Sequence, residues 1–404
     1  MKRLACFLLV LALAGCAPAA SLPESASVSE TASTLTMADK GVNATGYFTA
    51  YYNPIPSKAG ILLARWSFAD RTVHIACTAE GCDHTGETCE ARLNGYPIWV
   101  LDDAVYSLER SADDEIYSLF VRDADGTHPV QLGTLGYWSF FGADEEYLYG
   151  FCDGSYGRVS RTGGVETFLA HGLQSDFYDY GRILGVWQDR FLAVNWDIDN
   201  EQPARICLLD RDGGVTDIAQ VDPARFSNYN CIAVENEVIY LDLPTGDVMA
   251  VNVDTGEART VTQALRSYNA LEADDFYKTE RWYLQRVQDH ILVHVVDFVD
   301  ERTVQNLFLV NEDGTVSELS QRQELRDFSP ESKAWFGYTE DGSTDLIRVV
   351  GEWGDQLVVL NALQASTLET DDGPVQDMQS VYSLMDAEDY LANREIYREF
   401  ILPE

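Results

Sequence analysis

Two short patterns of polar and apolar residues alternate along most of the chain. In the first pattern, an acidic or amide turn is followed by an apolar or aromatic run with strand character. Its copies are DDAVYSL, DEEYLYG, QDRFLAV, ENEVIYL, QDHILVH and GDQLVVL, which begin at Asp102, Asp144, Gln188, Glu235, Gln288 and Gly354. Successive copies begin 42 to 66 residues apart, which is too far for a single hairpin to be the repeating unit.

The second pattern is a strand, a tight turn with glycine, and another strand. Its copies are SLFVRDADGTHPV, GRVSRTGGVETF, ICLLDRDGGVTDI, MAVNVDTGEARTV and LFLVNEDGTVSEL, with turn glycines Gly126, Gly163, Gly213, Gly256 and Gly314. A degenerate copy, RWSFADRTVHIAC, turns at Asp70 and Arg71. Glycine suits these turns because it adopts positive φ without steric cost. The two patterns together therefore predict about four antiparallel strands per repeat.

Repeats of this length and strand content predict an all-β chain folded as a β-propeller. Six copies of the first pattern, with the stretch that starts at Gly46, predict seven four-stranded blades, and six or eight blades also fit. Stacked β-sandwiches are the rival architecture. Near the C-terminus, residues 386–393 are predicted as a short helix. Residues 396–402 are predicted as a last strand that completes the blade begun at the N-terminus.

The N-terminus has the features of an export signal. MKRLACFLLVLALAGC begins with Lys2 and Arg3, continues with an apolar run too short to span a bilayer, and ends at Cys16. The segment before Cys16 resembles the lipobox of bacterial lipoproteins, which implies cleavage after residue 15 and lipidation of Cys16. An ordinary signal peptide is the alternative. We therefore predict a signal peptide (residues 1–15), a lipidated flexible tether (16–45) and a propeller domain (46–404) on the extracytoplasmic face of the cell membrane.

The charge of the chain restricts its partners. With 66 acidic and 28 basic residues, its formal net charge is −38. Such a surface repels nucleic acid and anionic lipid headgroups, so neither is expected as a partner. Solubility alone also accounts for an acidic exported protein.

The segment CTAEGCDHTGETC contains Cys77, Cys82, His84 and Cys89 within thirteen residues. Three thiolates and an imidazole form a donor set that suits tetrahedral zinc in a structural role. A disulfide is the alternative, because exported proteins meet an oxidising environment, and free thiols are the third. Cys152 and Cys207 lie in apolar strands and are expected in the core. His74 is expected to be an ordinary strand residue.

The sequence has no recognisable catalytic motif, so catalysis is less expected than binding. Aromatic segments such as GYWSFFG and SDFYDYG either pack between blades or stack on a sugar in the propeller funnel. We expect a binding or scaffold module for a glycan, a peptide or an envelope protein. The alternatives are a polysaccharide-processing enzyme with two carboxylates in the funnel and a purely structural lipoprotein.

The chain resembles a large group of bacterial propeller lipoproteins. The resemblance is carried by LAGC before residue 17, by the repeated acidic-turn strands, and by CTAEGCDHTGETC after the first hairpin. It covers most of the chain after residue 16. It implies the propeller fold and an extracytoplasmic location, and it implies no activity.

Overall fold

The structure, a computed structural model, describes most of the chain from Thr34 onward. The described residues are 34–38, 41–52, 61–86, 88–94, 97–110, 116–170, 181–195, 203–222, 225, 231–268, 282–299, 302–335, 345–370 and 373–401. Contacts group the chain from Thr34 to Glu404 into one compact unit. The predicted signal peptide, Cys16 and residues 17–33 of the predicted tether lie outside the described residues.

Seven sheets follow one another along the described chain, and all their strand pairs are antiparallel except one in the last sheet. After a short strand β1 (Thr36–Met37), blade 1 contains β2 (Val42–Asn43), β3 (Gly46–Tyr52), β4 (Ile61–Ser67), β5 (Val73–Ile75) and β6 (Arg92–Leu93). Blade 2 contains β7 (Ile98–Val100), β8 (Ala104–Arg110), β9 (Tyr117–Asp123) and β10 (Val130–Leu135). Blade 3 contains β11 (Ser139–Ala143), β12 (Tyr147–Cys152), β13 (Ser155–Ser160) and β14 (Glu166–Ala170).

The remaining four blades repeat this order. Blade 4 contains β15 (Gly181–Trp187), β16 (Arg190–Asn195), β17 (Ala204–Leu209) and β18 (Val215–Val221). Blade 5 contains β19 (Cys231–Val234), β20 (Glu237–Asp242), β21 (Asp247–Asn252) and β22 (Ala258–Thr262), followed by a 3-10 turn (Arg266–Tyr268). Blade 6 contains β23 (Trp282–Val287), β24 (His290–Val299), β25 (Arg302–Val310) and β26 (Val316–Leu319).

Blade 7 is the most elaborate. It contains β27 (Glu324–Arg326), helix α1 (Pro330–Trp335), β28 (Arg348–Trp353), β29 (Gln356–Thr370), β30 (Gly373–Asp386), helix α2 (Ala387–Leu391) and β31 (Arg398–Glu399). The additional strand β27 pairs with β29 in parallel. Helix α2 confirms the helix predicted near the C-terminus. Among the described residues, no helix is long and apolar enough to cross a membrane.

The apolar core lies between the blades rather than inside one sheet. The described residues form seven buried clusters, and each cluster joins two consecutive blades. The seventh joins Trp66 and Val73 of blade 1 to Val358 and Leu384 of blade 7. The ring is therefore closed by packing, and a seven-bladed propeller, not a stack of sandwiches, is confirmed.

Both sequence patterns fall at equivalent places in the blades. Each copy of the first pattern begins in the turn between the first and second strands of blades 2 to 7. The glycines of the second pattern lie between the third and fourth strands of blades 2 to 6. In blade 3, however, the residue with positive φ is Gly164 (φ +60°) and not the predicted Gly163. A Cβ on Gly164 would lie 3.2 Å from the backbone nitrogen of Gly133 in blade 2. The turn therefore requires glycine at position 164 rather than at position 163.

The first strand of each blade lies nearest the propeller axis. This follows because β15, β19 and β23, the first strands of blades 4, 5 and 6, contact one another across consecutive blades. The strand β1 pairs with β11, the first strand of blade 3, and also contacts β15. Residues 34–38 therefore lie at the centre of the ring.

The folded part begins earlier than the predicted boundary at residue 46. Leu35 is 3% exposed and Asn43 is fully buried. The Asn43 amide donates hydrogen bonds to the carbonyls of Leu101 and Ala124 (3.2 and 2.8 Å). The polar composition of the segment did not predict this burial. A few buried residues, such as Leu35 and Asn43, are enough to dock a polar segment on the inner strands.

The C-terminal strand completes its own blade. Arg398–Glu399 pairs with β30, and a single parallel bridge between Thr72 and Ile401 reaches blade 1. The strand predicted over residues 396–402 is therefore divided: Arg398–Glu399 belongs to blade 7, and Ile401 adds to the outer edge of blade 1. This bridge and the apolar contacts between blades 1 and 7 close the ring.

Candidate functional site

The cysteine-rich segment is an excursion from the outer strand of blade 1. Both β5 and β6 pair with β4, on the same side of it. Ala76 donates its N–H to the Leu63 carbonyl (3.0 Å), and the Leu63 N–H donates to the Ala91 carbonyl (2.7 Å). The chain thus leaves the strand after Ala76 and returns at Ala91 opposite the same residue. We call residues 77–90 the Cys loop, and its two ends are held together by Leu63.

Tight turns fold the Cys loop back on itself. The Cys82 N–H donates to the Ala79 carbonyl (3.1 Å), and the Cys89 N–H donates to the Gly86 carbonyl (3.2 Å). Gly81 and His84 both have positive φ, +72° and +57°. Positive φ is costly for residues other than glycine, so the fold of the loop holds His84 in an uncommon conformation.

These turns bring the four predicted ligands together. One donor atom from each of Cys77, Cys82, His84 and Cys89 lies within 4.8 Å of the other three. The Cys89 sulfur lies 3.5 Å from His84 Nδ1. Tetrahedral zinc with Zn–S bonds of about 2.3 Å places its ligand atoms roughly 3.8 Å apart. The donor set therefore fits one tetrahedral metal ion with small adjustments.

The three thiols of the Cys loop differ in environment. All three are free in the structure, and Cys89 is buried whereas Cys77 and Cys82 are half-buried. Burial raises the pKa of Cys89 to about 12, and interactions with Cys82 and with the charge of Cys77 contribute. For Cys77, burial is outweighed by a backbone hydrogen bond from Ala79 and by the Cys82 thiol, so its pKa is lowered. The Cys77 thiol therefore loses its proton more readily than the Cys89 thiol.

Two residues that sequence reasoning missed connect the Cys loop to its surroundings. The Glu90 carboxylate accepts hydrogen bonds from the Thr78 N–H and hydroxyl (3.0 and 2.9 Å). Arg122 of blade 2, 2% exposed, donates from Nη1 to the Glu90 carbonyl (2.6 Å). Its Nη2 lies 3.6 Å from Glu109 Oε1. Burial lowers the pKa of Arg122 and raises that of Glu109, and each charge opposes the shift of the other.

The remaining predicted cysteines and His74 lie where the sequence placed them. Cys152 and Cys207 are 5% and 0% exposed, and Cys231 is also fully buried. Burial raises the pKa of both Cys152 and Cys207 to about 11. His74 lies on β5, with Nε2 2.9 Å from Asp70 Oδ2. None of these side chains belongs to the four-residue donor cluster.

The segment GYWSFFG divides between core and surface. Trp138 and Phe140 are 0% and 1% exposed and stack with ring centroids 5.6 Å apart. Tyr137 is half-buried, and its ring centroid lies 5.1 Å from that of Tyr117. The segment SDFYDYG lies outside the described residues, apart from its final glycine at 181. Trp138 and Phe140 therefore pack in the core between blades, and Tyr137 remains half-buried at its edge.

Tyr117 and Tyr137 line an open cleft of about 780 Å³ where blades 1 and 2 meet the start of blade 3. The cleft lies at the end of the propeller away from the first-pattern turns, because β8 ends and β9 begins there. Asn94, Arg110 and Ser139 contribute polar groups to it. Among the described lining residues, Arg110 is the one charged side chain and no carboxylate is present.

Comparisons with known proteins give no family. No family model matches this chain, and no curated protein matches it.

Solved structures give distant likenesses. One is a chain of a nidogen/laminin complex, with 10% identity and a TM-score of 0.33, covering 71% of this chain and 92% of that one. A second is a protein of unknown function from Bacteroides thetaiotaomicron, with 12% identity and a TM-score of 0.32, covering 85% and 84%. A third is prolyl oligopeptidase B from Galerina marginata, with 9% identity and a TM-score of 0.36, covering 84% and 46%. At these scores the likenesses support no functional argument, and the propeller assignment rests on strand pairing and packing.

Proposed function

We propose that this chain is a lipid-anchored, extracytoplasmic β-propeller that binds a glycan in the cleft where Tyr117 and Tyr137 lie. The observation that carries the proposal is the cleft itself. Its volume of about 780 Å³ is in the range of small-molecule sites, and aromatic walls with a few polar groups are typical of such sites. Peptides and envelope proteins are the competing ligands.

The lining of the cleft favours binding over hydrolysis. Sugar rings present apolar C–H faces and hydroxyl edges, which match the tyrosine rings and the Asn94, Arg110 and Ser139 side chains. A polysaccharide-processing site needs two carboxyl groups about 5 to 10 Å apart, and the described lining supplies none. The enzymatic alternative therefore receives no support from this cleft.

The cleft is tested by substituting a tyrosine that lines it. We expect Tyr137→Ala to weaken binding to the best ligand in an array of envelope glycans by five- to tenfold, or about 1 to 1.4 kcal/mol. Trp353→Ala is the matched control, since this aromatic residue is 39% exposed and lies at the opposite end of the propeller. Equal effects of the two substitutions, or binding to envelope peptides but to no glycan, would contradict the proposal.

The membrane anchor is proposed from the sequence around Cys16. Acylation of this residue would fix the chain to the membrane, since two or more acyl chains suffice for stable anchoring. Cys16→Ser should move the protein from the membrane fraction to the soluble fraction and abolish incorporation of labelled palmitate. Cys6→Ser, in the apolar run of the signal, should change neither. Membrane association that survives Cys16→Ser would show that the anchor is not this lipid.

We also propose that the Cys loop binds structural zinc through Cys77, Cys82, His84 and Cys89. When bound, zinc would supply a cross-link, since four protein ligands leave no position for a substrate. The chain itself already brings the ends of the loop together at Leu63. Zinc would therefore hold the interior of the loop, and with it the contact between Glu90 and Arg122.

A further inference from the structure

The strands around the propeller axis have a charge opposite to that of the rest of the molecule. The seven first strands are β2, β7, β11, β15, β19, β23 and β28. Within their bounds they contain Arg182, Arg286 and Arg348, a single acidic residue, Glu352, and no aspartate. Strand β27, which pairs with β29 on the same side as β28, adds Glu324 and Arg326, whose charges cancel. The whole chain has 66 acidic and 28 basic residues. The inner strands are therefore net positive in an otherwise acidic protein.

Two of these arginines share a cavity. Arg182 on β15 and Arg286 on β23 line a cavity of about 260 Å³, together with Ile232 and Ala233 of the intervening strand β19. Both Arg182 and Arg286 are exposed residues. Arg286 Nη1 makes a long contact of 3.5 Å with the Ala233 carbonyl. The cavity is therefore walled by three consecutive inner strands, with two guanidinium groups and no carboxylate among its described residues.

The third arginine adds positive potential on the neighbouring strand. Arg348 begins β28, and its charge acts on the buried His294 of blade 6. Glu352, the one acid of these strands, accepts a hydrogen bond from the Gln288 N–H (3.0 Å) near the first-pattern turns. The Glu352 carboxylate is therefore hydrogen-bonded at the end of β28 opposite to Arg348.

We propose that the cavity between the inner strands of blades 4, 5 and 6 binds a small oxyanion through Arg182 and Arg286. The planar guanidinium group of arginine pairs with carboxylate and phosphate oxygens through two parallel hydrogen bonds. A volume of about 260 Å³ accommodates an anionic group of this size with its hydration, not a polymer. Electrostatic focusing in a cleft with low-dielectric walls strengthens the attraction. This site is separate from the cleft that contains Tyr137, so it stands independently of glycan binding.

The site is tested by calorimetric titration of the full chain with inorganic phosphate and, separately, with succinate at constant ionic strength. We expect saturable binding of at least one probe, and the probe that binds more tightly assigns the site to phosphate or to carboxylate. Arg182→Gln and Arg286→Gln should each weaken that binding at least tenfold. Arg286→Lys should weaken it less, because the charge remains while the two-pronged hydrogen bonding is lost.

Arg259→Gln is the matched control. Arg259 lies on the outer strand β22 and pairs with Glu237, so its substitution should leave anion binding unchanged. Circular dichroism shows whether each variant folds. If a glutamine variant does not fold, the anion affinity of Arg286→Lys provides the test in its place. Absence of saturable binding by both probes would overturn the proposal, as would equal weakening by Arg259→Gln and Arg286→Gln.

Discussion

For the buried residue Arg122, the sequence predicts the strand but not the partners of the side chain. The alternation of SLFVRD places Arg122 on a strand, but it does not show that Arg122 meets Glu90 at the end of the Cys loop in blade 1 and Glu109 on the neighbouring strand β8 of its own blade. Its partners Glu90 and Glu109 lie 32 and 13 positions earlier in the chain. Local periodicity has no information on such contacts. The four donors of the Cys loop were predictable because they lie within thirteen residues and their chemistry is particular.

His294 gives a prediction at the residue scale. It is 4% exposed, its Nε2 lies 3.0 Å from Gln285 Oε1, and its ring stacks on Tyr283 at 4.1 Å. Burial, with a smaller contribution from the charge of Arg348, lowers its pKa to about 3. The unfolded chain takes up this proton below pH ~6.5 while the folded chain does not. His294 therefore makes the free energy of unfolding fall as the pH falls from about 6.5 towards 3.

We expect His294→Gln to remove this part of the pH dependence. Between pH 7 and pH 5 the parent chain should lose roughly 1 to 2 kcal/mol more unfolding free energy than the variant. Urea titrations at the two pH values measure the difference. The control is His290→Gln, an exposed histidine on the same strand. Parallel pH profiles for the parent and His294→Gln would refute the assignment.

At the scale of elements, the hairpin turns were predicted well and the Cys loop only in part. The turns are local, and glycine marks them. The sequence also indicated a loop between Cys77 and Cys89. It did not show that β5 and β6 are two halves of one outer strand, because that follows from their common pairing with β4. The loop is therefore an insertion within a blade and not a connection between blades.

Gly256 and Gly163 provide a matched test of the turn glycines. Gly256 has a φ of +71°, and a Cβ there would lie 2.7 Å from the Ile218 carbonyl oxygen of the preceding blade. Gly163 is exposed, its φ is not positive, and its Cβ would meet no atom closer than 3.9 Å. We expect Gly256→Ala to destabilise the chain by about 2 kcal/mol or more and Gly163→Ala to change stability by under about 0.5 kcal/mol.

Urea midpoints with unchanged m-values measure both effects. Similar midpoints for the two alanine variants would show that neither the positive φ nor the contact with Ile218 constrains the turn.

At the scale of the molecule, the repeat period predicted the number and order of blades but not how the ring closes. Closure depends on contacts between the two ends of the chain, such as Val73 with the carbonyl of Ile401 (3.0 Å). No periodic signal encodes such a contact. Likewise, the polar composition around residues 34–38 concealed that they dock at the axis. The cleft and the cavity lined by Arg182 and Arg286 form only once the blades are assembled, because their residues come from several repeats.

The zinc proposal is tested most directly by measuring the metal content of the full chain, purified without chelator, alongside a count of its free thiols. We predict about one zinc per chain, lost on Cys82→Ser and retained on Cys152→Ala, which removes a cysteine outside the Cys loop. No metal, with two fewer thiols in the chain before reduction than after it, would contradict the proposal. The Cys loop would then be closed by a disulfide.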